Sequence, residues 1–360
     1  MKIVFFKVHT KQIAKKRPLG MRFYRIIFLF FLCFILSKAI KGQQFPIYDQ
    51  YMMNGFLLNP AVAGHEGYTA VNLTIREQWL GLKDAPSTYA VTGQTRLLKN
   101  SYISKSKSIR KRRRVMSRSG RVGFGAYVFN DANGALGRTG LSGTYAYHLT
   151  LKRSQLSMGF SVGGFQYRID RSKIRLENED DYLMRITDDK AYITDANLGV
   201  YYSDRYIYAG ISTQNLFESF FRLDNRQGAG YKLERTYIAM SGYRFDVIDF
   251  LFLEPSFLFK FSESIIAQVD INLKAYIKED YWLGLSYRSG GASNITKESI
   301  KGRGSSLILM AGARVDKYYF GYAFDYTFNS ISSKTIGSHE IMLAVKFGDS
   351  ARRYRWLNRY

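Results

Sequence analysis

Cysteine and proline are scarce in this sequence, which has 1 cysteine and 5 prolines among 360 residues. The one thiol, Cys33, lies inside an apolar run near the N-terminus. Once that run is removed, the chain has neither a disulfide framework nor a cysteine-ligated metal site. A chain without thiols suits export through an oxidising compartment. Scarce proline leaves long stretches free to pair as strands.

Long apolar runs are also missing. After residue 42, no stretch approaches the roughly 20 apolar residues that a transmembrane helix needs. The apolar run at 26–36 is shorter than that, follows basic residues and precedes small ones. This arrangement predicts a signal peptide over residues 1–42, cleaved after Ala39 or after Gly42, with Met21 as an alternative start.

Acidic residues are few relative to basic ones, and the formal net charge is +24. Much of the excess lies in two stretches that contain no acidic residue, 1–42 and 105–121. The second contains Arg110, Lys111, Arg112, Arg113 and Arg114 in succession. Three interpretations of it stay open: a solvated turn, a contact with lipid headgroups, and a periplasmic docking arm for a partner. Nucleic acid also binds basic clusters, but it is not an expected partner for an exported protein.

Aromatic residues, in contrast, are abundant, with 28 Tyr and 26 Phe. Segments of about ten residues alternate in polarity, which is the signature of a transmembrane β-barrel. Val269, Ile271 and Leu273 share one face of a predicted strand, whereas Asp270 and Lys274 lie on the other. These patterns predict an all-β fold, a transmembrane antiparallel β-barrel of about 14 strands. A soluble β-protein shows similar alternation but packs its apolar face against a core.

Fourteen strands are predicted, at about residues 69–79, 88–98, 121–130, 139–151, 155–168, 196–203, 205–213, 231–245, 250–261, 265–277, 281–289, 305–314, 317–329 and 338–347. With the N-terminus in the periplasm, the periplasmic connections are mostly short and the outer ones mostly longer, as in bacterial barrels. Two connections break this pattern, the short outer one at 262–264 and the long periplasmic one at 99–120. The predicted organisation is a periplasmic pre-barrel segment at 43–68, an outer-membrane barrel at 69–347 and a basic periplasmic tail at 348–360.

Candidate catalytic and metal-binding residues are sparse. The histidines are His9, His65, His148 and His339; no two are spaced as ligands on one helix, so we expect no zinc site. A hydrolase would need His148 beside a serine of a neighbouring strand, and we expect a lumen or interface histidine instead. Clustered carboxylates in the predicted loop 169–195 leave calcium binding open. We therefore expect no catalytic residue, no metal and no cofactor.

Two sequence blocks and one dipeptide carry a family resemblance. The first block contains Gln50, Tyr51, Asn59, Pro60, Ala61 and Gly64, and the second contains Gln78, Trp79, Gly81 and Pro86. The dipeptide is His339-Glu340, near the end of the chain. Together they resemble the signature of the PorP/SprF family, outer-membrane proteins of the type IX secretion and gliding machinery. Three features depart from the family pattern: Asn54-Gly55, where many relatives have Asn-Pro, the basic stretch 105–121, and the C-terminal tail.

The resemblance implies a non-enzymatic outer-membrane component of the type IX secretion system in a Gram-negative bacterium. Its implied role is the secretion or surface anchoring of a large cell-surface protein such as a gliding adhesin. The implied partners are outer-membrane lipid, a periplasmic peptidoglycan-associated protein, and the secreted surface protein or adhesin. A porin-like transport barrel for small or lipidic solutes is the alternative.

The first block belongs to the pre-barrel segment, which either lies against the barrel mouth or enters the lumen. Its aromatic and small residues favour barrel closure, because such residues more often pack than bind a ligand. A partner-binding role for the block stays open. The second block follows the first predicted strand, which puts Trp79 near the outer rim.

Overall fold

A computed structural model describes residues 46–97, 121–151, 154–173, 190–218, 220–221, 231–262, 267–278, 280–290, 305–329 and 332–347. The predicted signal peptide, the basic residues Arg110–Arg114, most of the acidic loop and the C-terminal tail lie outside these ranges. Among the described residues, no helix is long and apolar enough to cross a bilayer.

The described part of the chain is built almost entirely of strands. In chain order they are β1 (Thr69–Glu77), β2 (Ser87–Leu97), β3 (Val122–Asn133), β4 (Leu136–Thr150), β5 (Gln155–Ile169), β6 (Lys190–Ser203), β7 (Ile207–Gln214), β8 (Phe220–Phe221), β9 (Tyr231–Lys232), β10 (Thr236–Tyr243), β11 (Phe245–Ile248), β12 (Leu251–Ser262), β13 (Gln268–Ile277), β14 (Tyr281–Ser289), β15 (Ser306–Val315), β16 (Tyr318–Thr327) and β17 (Ser338–Phe347).

The sheet closes on itself as an antiparallel barrel. Strands β1 to β7 pair in succession, β7 pairs with β10, β10 pairs with β12, and β12 to β17 again pair in succession. The barrel closes where β17 pairs with β1, from Thr69 opposite Phe347 to Glu77 opposite His339. Strand β11 continues β10 along the same partner, and β8 and β9 form a separate two-stranded ribbon. The prediction of an all-β barrel of about 14 strands is confirmed.

The barrel wall is apolar outside and polar inside. In β13, Ile271 is 59% exposed and Leu273 47%, whereas Asp270 and Lys274 are fully buried. The same alternation holds in β17, where Ile341 faces out. Successive residues of a strand point to opposite sides of the sheet. An exposed apolar exterior of this kind requires lipid around it.

The start of β6 differs from the sequence prediction by six residues. Strand β6 begins at Lys190, six residues before the predicted start, and the preceding loop is correspondingly shorter. Ala191 and Ile193 extend the strand because their side chains pack against Leu233 in a small apolar cluster. Asp195, predicted to lie in the acidic outer loop, is therefore a buried strand residue that accepts the backbone N–H of Ala196 at 2.7 Å.

The two ends of the barrel differ in their connections. At the short-turn end, β1 begins, β17 ends, and pairs such as β6–β7, β13–β14 and β15–β16 are joined by two or three residues. At the long-loop end lie the connections β1–β2, β5–β6, β14–β15 and β16–β17, and all four are longer than those turns. The connection β3–β4, Gly134-Ala135, is short although it lies at that end, and the connection β12–β13, predicted to be short, has five residues.

Candidate functional site

Residues 46–68, here called the lumen segment, lie inside the barrel. The sequence predicted a periplasmic lead-in that either covered the mouth or entered the lumen, and the structure has the second arrangement. Two short 3-10 helices, Gly55–Leu57 and Pro60–Val62, fold it compactly. Asn59 caps the second helix, since its side-chain oxygen accepts the Ala61 N–H at 2.9 Å and Pro60 follows at the first helical position.

An apolar core fills the space between the lumen segment and the wall. The segment contributes Tyr48, Tyr51, Met52, Leu57, Leu58 and Ala61. The facing wall residues come from β2, β6, β7, β10 and β12 to β17: Ala90, Tyr201, Tyr208, Ile238, Met240, Phe252, Leu258, Tyr276, Trp282, Ile308, Met310, Tyr319, Ala323, Met342 and Ala344. All of them are at most 9% exposed. The lumen therefore holds a packed core where a porin has water.

Glycines in the wall make room for the lumen segment. A Cβ atom at Gly199 would overlap the side-chain oxygen of Asn59, and one at Gly159 would overlap the backbone of Pro60 and Ala61. Gly123 in β3 is crowded in the same way by the carbonyl of Ala63. Because glycine has no side chain, it permits this close backbone approach.

Gly199→Ala should lower the midpoint of chemical unfolding, because the added methyl forces Asn59 away from the wall. The free energy of unfolding should fall by about 1–3 kcal/mol, as expected for overpacking a filled core. The matched control is Gly143→Ala: a Cβ there meets nothing within 4 Å. Equal midpoints for the two variants would show that the lumen segment does not need the glycine at 199.

Asn59 joins the lumen segment to two neighbouring strands. Its amide nitrogen donates to the carbonyl of Val200 in β6 at 3.0 Å and to that of Ile211 in β7 at 3.2 Å. The residue is fully buried. One side chain thus serves as both helix cap and wall anchor.

A charge cluster surrounds the beginning of the lumen segment. It comprises Asp49 of the segment and the wall residues Arg76, Asp270, Arg288, Asp325 and Glu340, each at most 3% exposed. Arg288 donates to Asp49 at 2.8 Å and to Asp270 at 3.0 Å. Arg76 pairs with Asp49 and, at 2.8 Å, with Asp325. Buried charges persist only when they are paired in this way.

Glu340 binds the backbone of the lumen segment through hydrogen bonds. Its two carboxylate oxygens accept the N–H groups of Asp49 and Gln50 at 2.7 and 2.9 Å. The Gln50 side chain in turn donates to the Glu340 carbonyl at 3.3 Å. Hydrogen bonds to a charged acceptor are stronger than neutral ones. The signature residue Gln50 and Glu340 of the distant dipeptide therefore meet in one contact.

A histidine cluster lies where the lumen segment leaves the barrel. His65 contacts the Ser203 hydroxyl at 2.8 Å and the Gln155 amide at 2.7 Å. His148 contacts the Ser157 hydroxyl through Nδ1 at 2.8 Å and the Ala63 carbonyl through Nε2 at 2.9 Å. Because the carbonyl can only accept, Nε2 carries the proton and Nδ1 accepts from the serine.

A serine therefore does lie beside His148, but it is not accessible. Ser157 and His148 are both 0% exposed, and the serine oxygen is also 3.2 Å from His65. Substrate has no route to this hydroxyl while the lumen segment covers it. The arrangement fastens the segment to β4 and β5.

The second signature block forms the loop after β1, at the long-loop end. Gln78 closes it by donating its N–H to the Pro86 carbonyl at 2.8 Å. Trp79 and Gly81 have positive φ angles of 51° and 101°, so this loop turns sharply. Leu80 exchanges backbone hydrogen bonds with the β16–β17 connection. A cavity of about 20 Å³ separates the loop from the start of the lumen segment; its lining includes Pro46, Ile47, Gln78 and Pro86.

The ten signature residues thus divide into two groups. Gln50, Tyr51, Asn59, Pro60, Ala61 and Gly64 lie in the lumen, and Gln78, Trp79, Gly81 and Pro86 form the rim loop next to its entrance. Sequence reasoning missed the charge cluster. The available signal was charge on the lumen-facing positions of otherwise apolar strands, such as Arg76 and Arg288.

Among the described residues, no group of three or more His, Cys, Asp or Glu side chains has the arrangement of a metal site. The acidic residues 177–189, for which calcium was an open alternative, lie outside the described residues, as do Arg110–Arg114.

Comparison with known families identifies the chain. A family model described as type IX secretion system membrane protein PorP/SprF matches residues 40–345. The chain belongs to the PorP/SprF family. Together with the closed barrel and its apolar exterior, this membership makes the protein an integral outer-membrane protein of a Gram-negative bacterium.

Solved structures of other barrels resemble this PorP/SprF member only remotely. The toluene transporter TbuX of Ralstonia pickettii is 11% identical, with 86% of this chain and 97% of that chain covered and a TM-score of 0.43. Omp33 of Acinetobacter baumannii is 7% identical, with 78% and 98% covered and a TM-score of 0.39. The KdgM porin is also 7% identical, with the same coverage and a TM-score of 0.33. No curated protein matches the chain.

Proposed function

We propose that this protein is a non-enzymatic outer-membrane component of the type IX secretion system. It serves the secretion or surface anchoring of a large cell-surface protein such as a gliding adhesin. Its own chemistry is binding and membrane anchoring. Residues 1–42 are removed on export, and residues 348–360 form a basic tail in the periplasm.

The packed lumen is the observation that carries this proposal. A transport barrel needs a continuous path for solute, yet here Tyr51, Leu57 and Leu58 form a core with wall residues such as Trp282 and Tyr319. Membership of a secretion family supports a role in assembly over one in solute passage. The sealed Ser157–His148 pair supports the absence of hydrolase activity.

The proposed periplasmic partner is a peptidoglycan-associated protein. In bacterial barrels the short turns face the periplasm, and here β2 ends and β3 begins at the short-turn end. The basic residues Arg110–Arg114 belong to the connection between those two strands. A cluster of like charge is often an interaction site, and the segment is our candidate docking arm for this partner.

Deleting the gene should remove a large protein from the cell surface, and re-expressing the intact chain should restore it. Surface protein is measured by protease shaving of intact cells followed by mass spectrometry. In parallel, affinity purification from native membranes should recover the periplasmic partner with the intact chain. Recovery should fall when Arg110–Arg114 are all changed to Gln.

The matched control is Gly143→Ala, an exterior change that should preserve both surface display and partner recovery. An unchanged surface proteome in the deletion strain would refute the secretion role. Undiminished partner recovery with the five-Gln variant would refute the docking arm alone, because surface display is scored separately.

A further inference from the structure

The lumen segment runs the full depth of the barrel. Its beginning contacts the long-loop end, where Asp49 pairs with Arg76 and Arg288. These arginines are the penultimate residues of β1 and β14. Its end contacts the short-turn end, where His65 binds Ser203, the last residue of β6. Residues 46 and 68 therefore lie at opposite mouths.

The two ends of the segment are not equally free. At the short-turn end the segment continues directly into β1 at Thr69 and cannot leave. At the long-loop end it is held only by side-chain and backbone contacts. Any withdrawal of the segment must therefore begin at the charge cluster.

We propose that the lumen segment is a strap that opens from the long-loop end and that Glu340 is its clasp. Release of residues 46–50 breaks the two N–H bonds to the Glu340 carboxylate and frees Asp49 from Arg76 and Arg288. A barrel closed by this strap can expose its lumen-facing charges at one mouth while the other mouth stays shut.

The energetics confine this opening to the first part of the segment. A buried ion pair is little more stable than its two charges in water, because burial costs their hydration. When the mouth opens, water therefore compensates for much of the ion pairing that Arg76 and Arg288 lose. Opening as far as Gln50 takes one side chain, Tyr48, out of the apolar core, and beyond Gln50 the cost rises because Tyr51 and Met52 would leave the core as well. The cavity beside Pro46 and Ile47 also makes packing looser at this end. Opening therefore stops near Tyr51.

Thiol labelling of the purified, membrane-reconstituted protein tests this strap. Ile47→Cys reports the long-loop end and Val62→Cys the short-turn half, each as the single thiol of the exported chain, because Cys33 lies in the segment proposed to be removed on export. Glu340→Gln should speed maleimide labelling at position 47 by roughly tenfold or more, since a carboxylate holding two N–H groups is lost. Labelling at position 62 should not change.

The matched clasp control is Lys346→Gln on the same strand and face. Lys346 binds the Tyr68 hydroxyl at 2.7 Å at the opposite end of the segment, so this change should leave labelling at position 47 unaltered. Unboiled gel mobility verifies that each barrel is folded. Equal acceleration at positions 47 and 62 would mean general loosening, and no acceleration at 47 would mean no clasp; either result overturns the proposal. The proposed secretion role is scored separately in cells.

Discussion

Deleting residues 46–66 should turn a closed barrel into an ion-conducting pore. The deletion removes Tyr51, Leu57 and Leu58 from the core that connects opposite walls. It also leaves lumen-facing Arg76 and Arg288 without Asp49, so water must enter to hydrate them. Barrels of 16–18 strands hold an aqueous channel, and those of about 8 are filled by their own side chains. A 14-stranded barrel without its lumen segment is closer to the first group.

Conductance in planar bilayers measures this effect. The intact chain should stay near the baseline, and the deletion should raise single-channel conductance by at least about tenfold, given the lumen width expected at this strand number. Gly143→Ala, prepared by the same refolding route, is the control and should match the intact chain. A folded deletion variant that stays silent would show that wall side chains alone close the lumen.

The strands follow from the sequence because their signal is local. Period-2 alternation in β13 or β17 reflects lipid on one side and lumen on the other, and neighbouring residues suffice to reveal it. The early start of β6 shows the limit of this signal. There, Ala191 and Ile193 are held by Leu233, some forty residues away, while acidic neighbours suggested a loop.

The lumen segment could not be located from sequence for a related reason. It has no periodicity, and its position depends on contacts distant along the chain: Gln50 with Glu340, Asn59 with Val200, and Ala63 with His148. Wall glycines such as Gly199 are informative only once the strand register is known. The family signature marked several of these residues without indicating what they touch.

Arg288→Met should be the most destabilising single substitution among the lumen charges. Arg288 is 3% exposed and donates to Asp270, Asp49 and the Tyr48 carbonyl. Without Arg288, Asp270 is left charged with no arginine partner among the described residues and Asp49 keeps only Arg76, and breaking a buried ion pair in this way costs about 3–5 kcal/mol. Methionine keeps most of the side-chain volume, so the lost stability reflects charge and hydrogen bonding and not the creation of a cavity.

Equilibrium unfolding in denaturant, followed by tryptophan fluorescence, measures this loss. Arg205→Met is the control: that arginine is exposed at the short-turn end, and its loss should cost less than about 1 kcal/mol. Adding Asp270→Asn to Arg288→Met should recover part of the stability, because the carboxylate that lost its arginine is then neutral. If the double variant is no more stable than Arg288→Met, the bond to Tyr48 and the pairing with Asp49 dominate. If Arg288→Met unfolds like the intact chain, the ion pairs of Arg288 do not hold the lumen segment, and its fastening must come from the Glu340 and Asn59 hydrogen bonds and the apolar core.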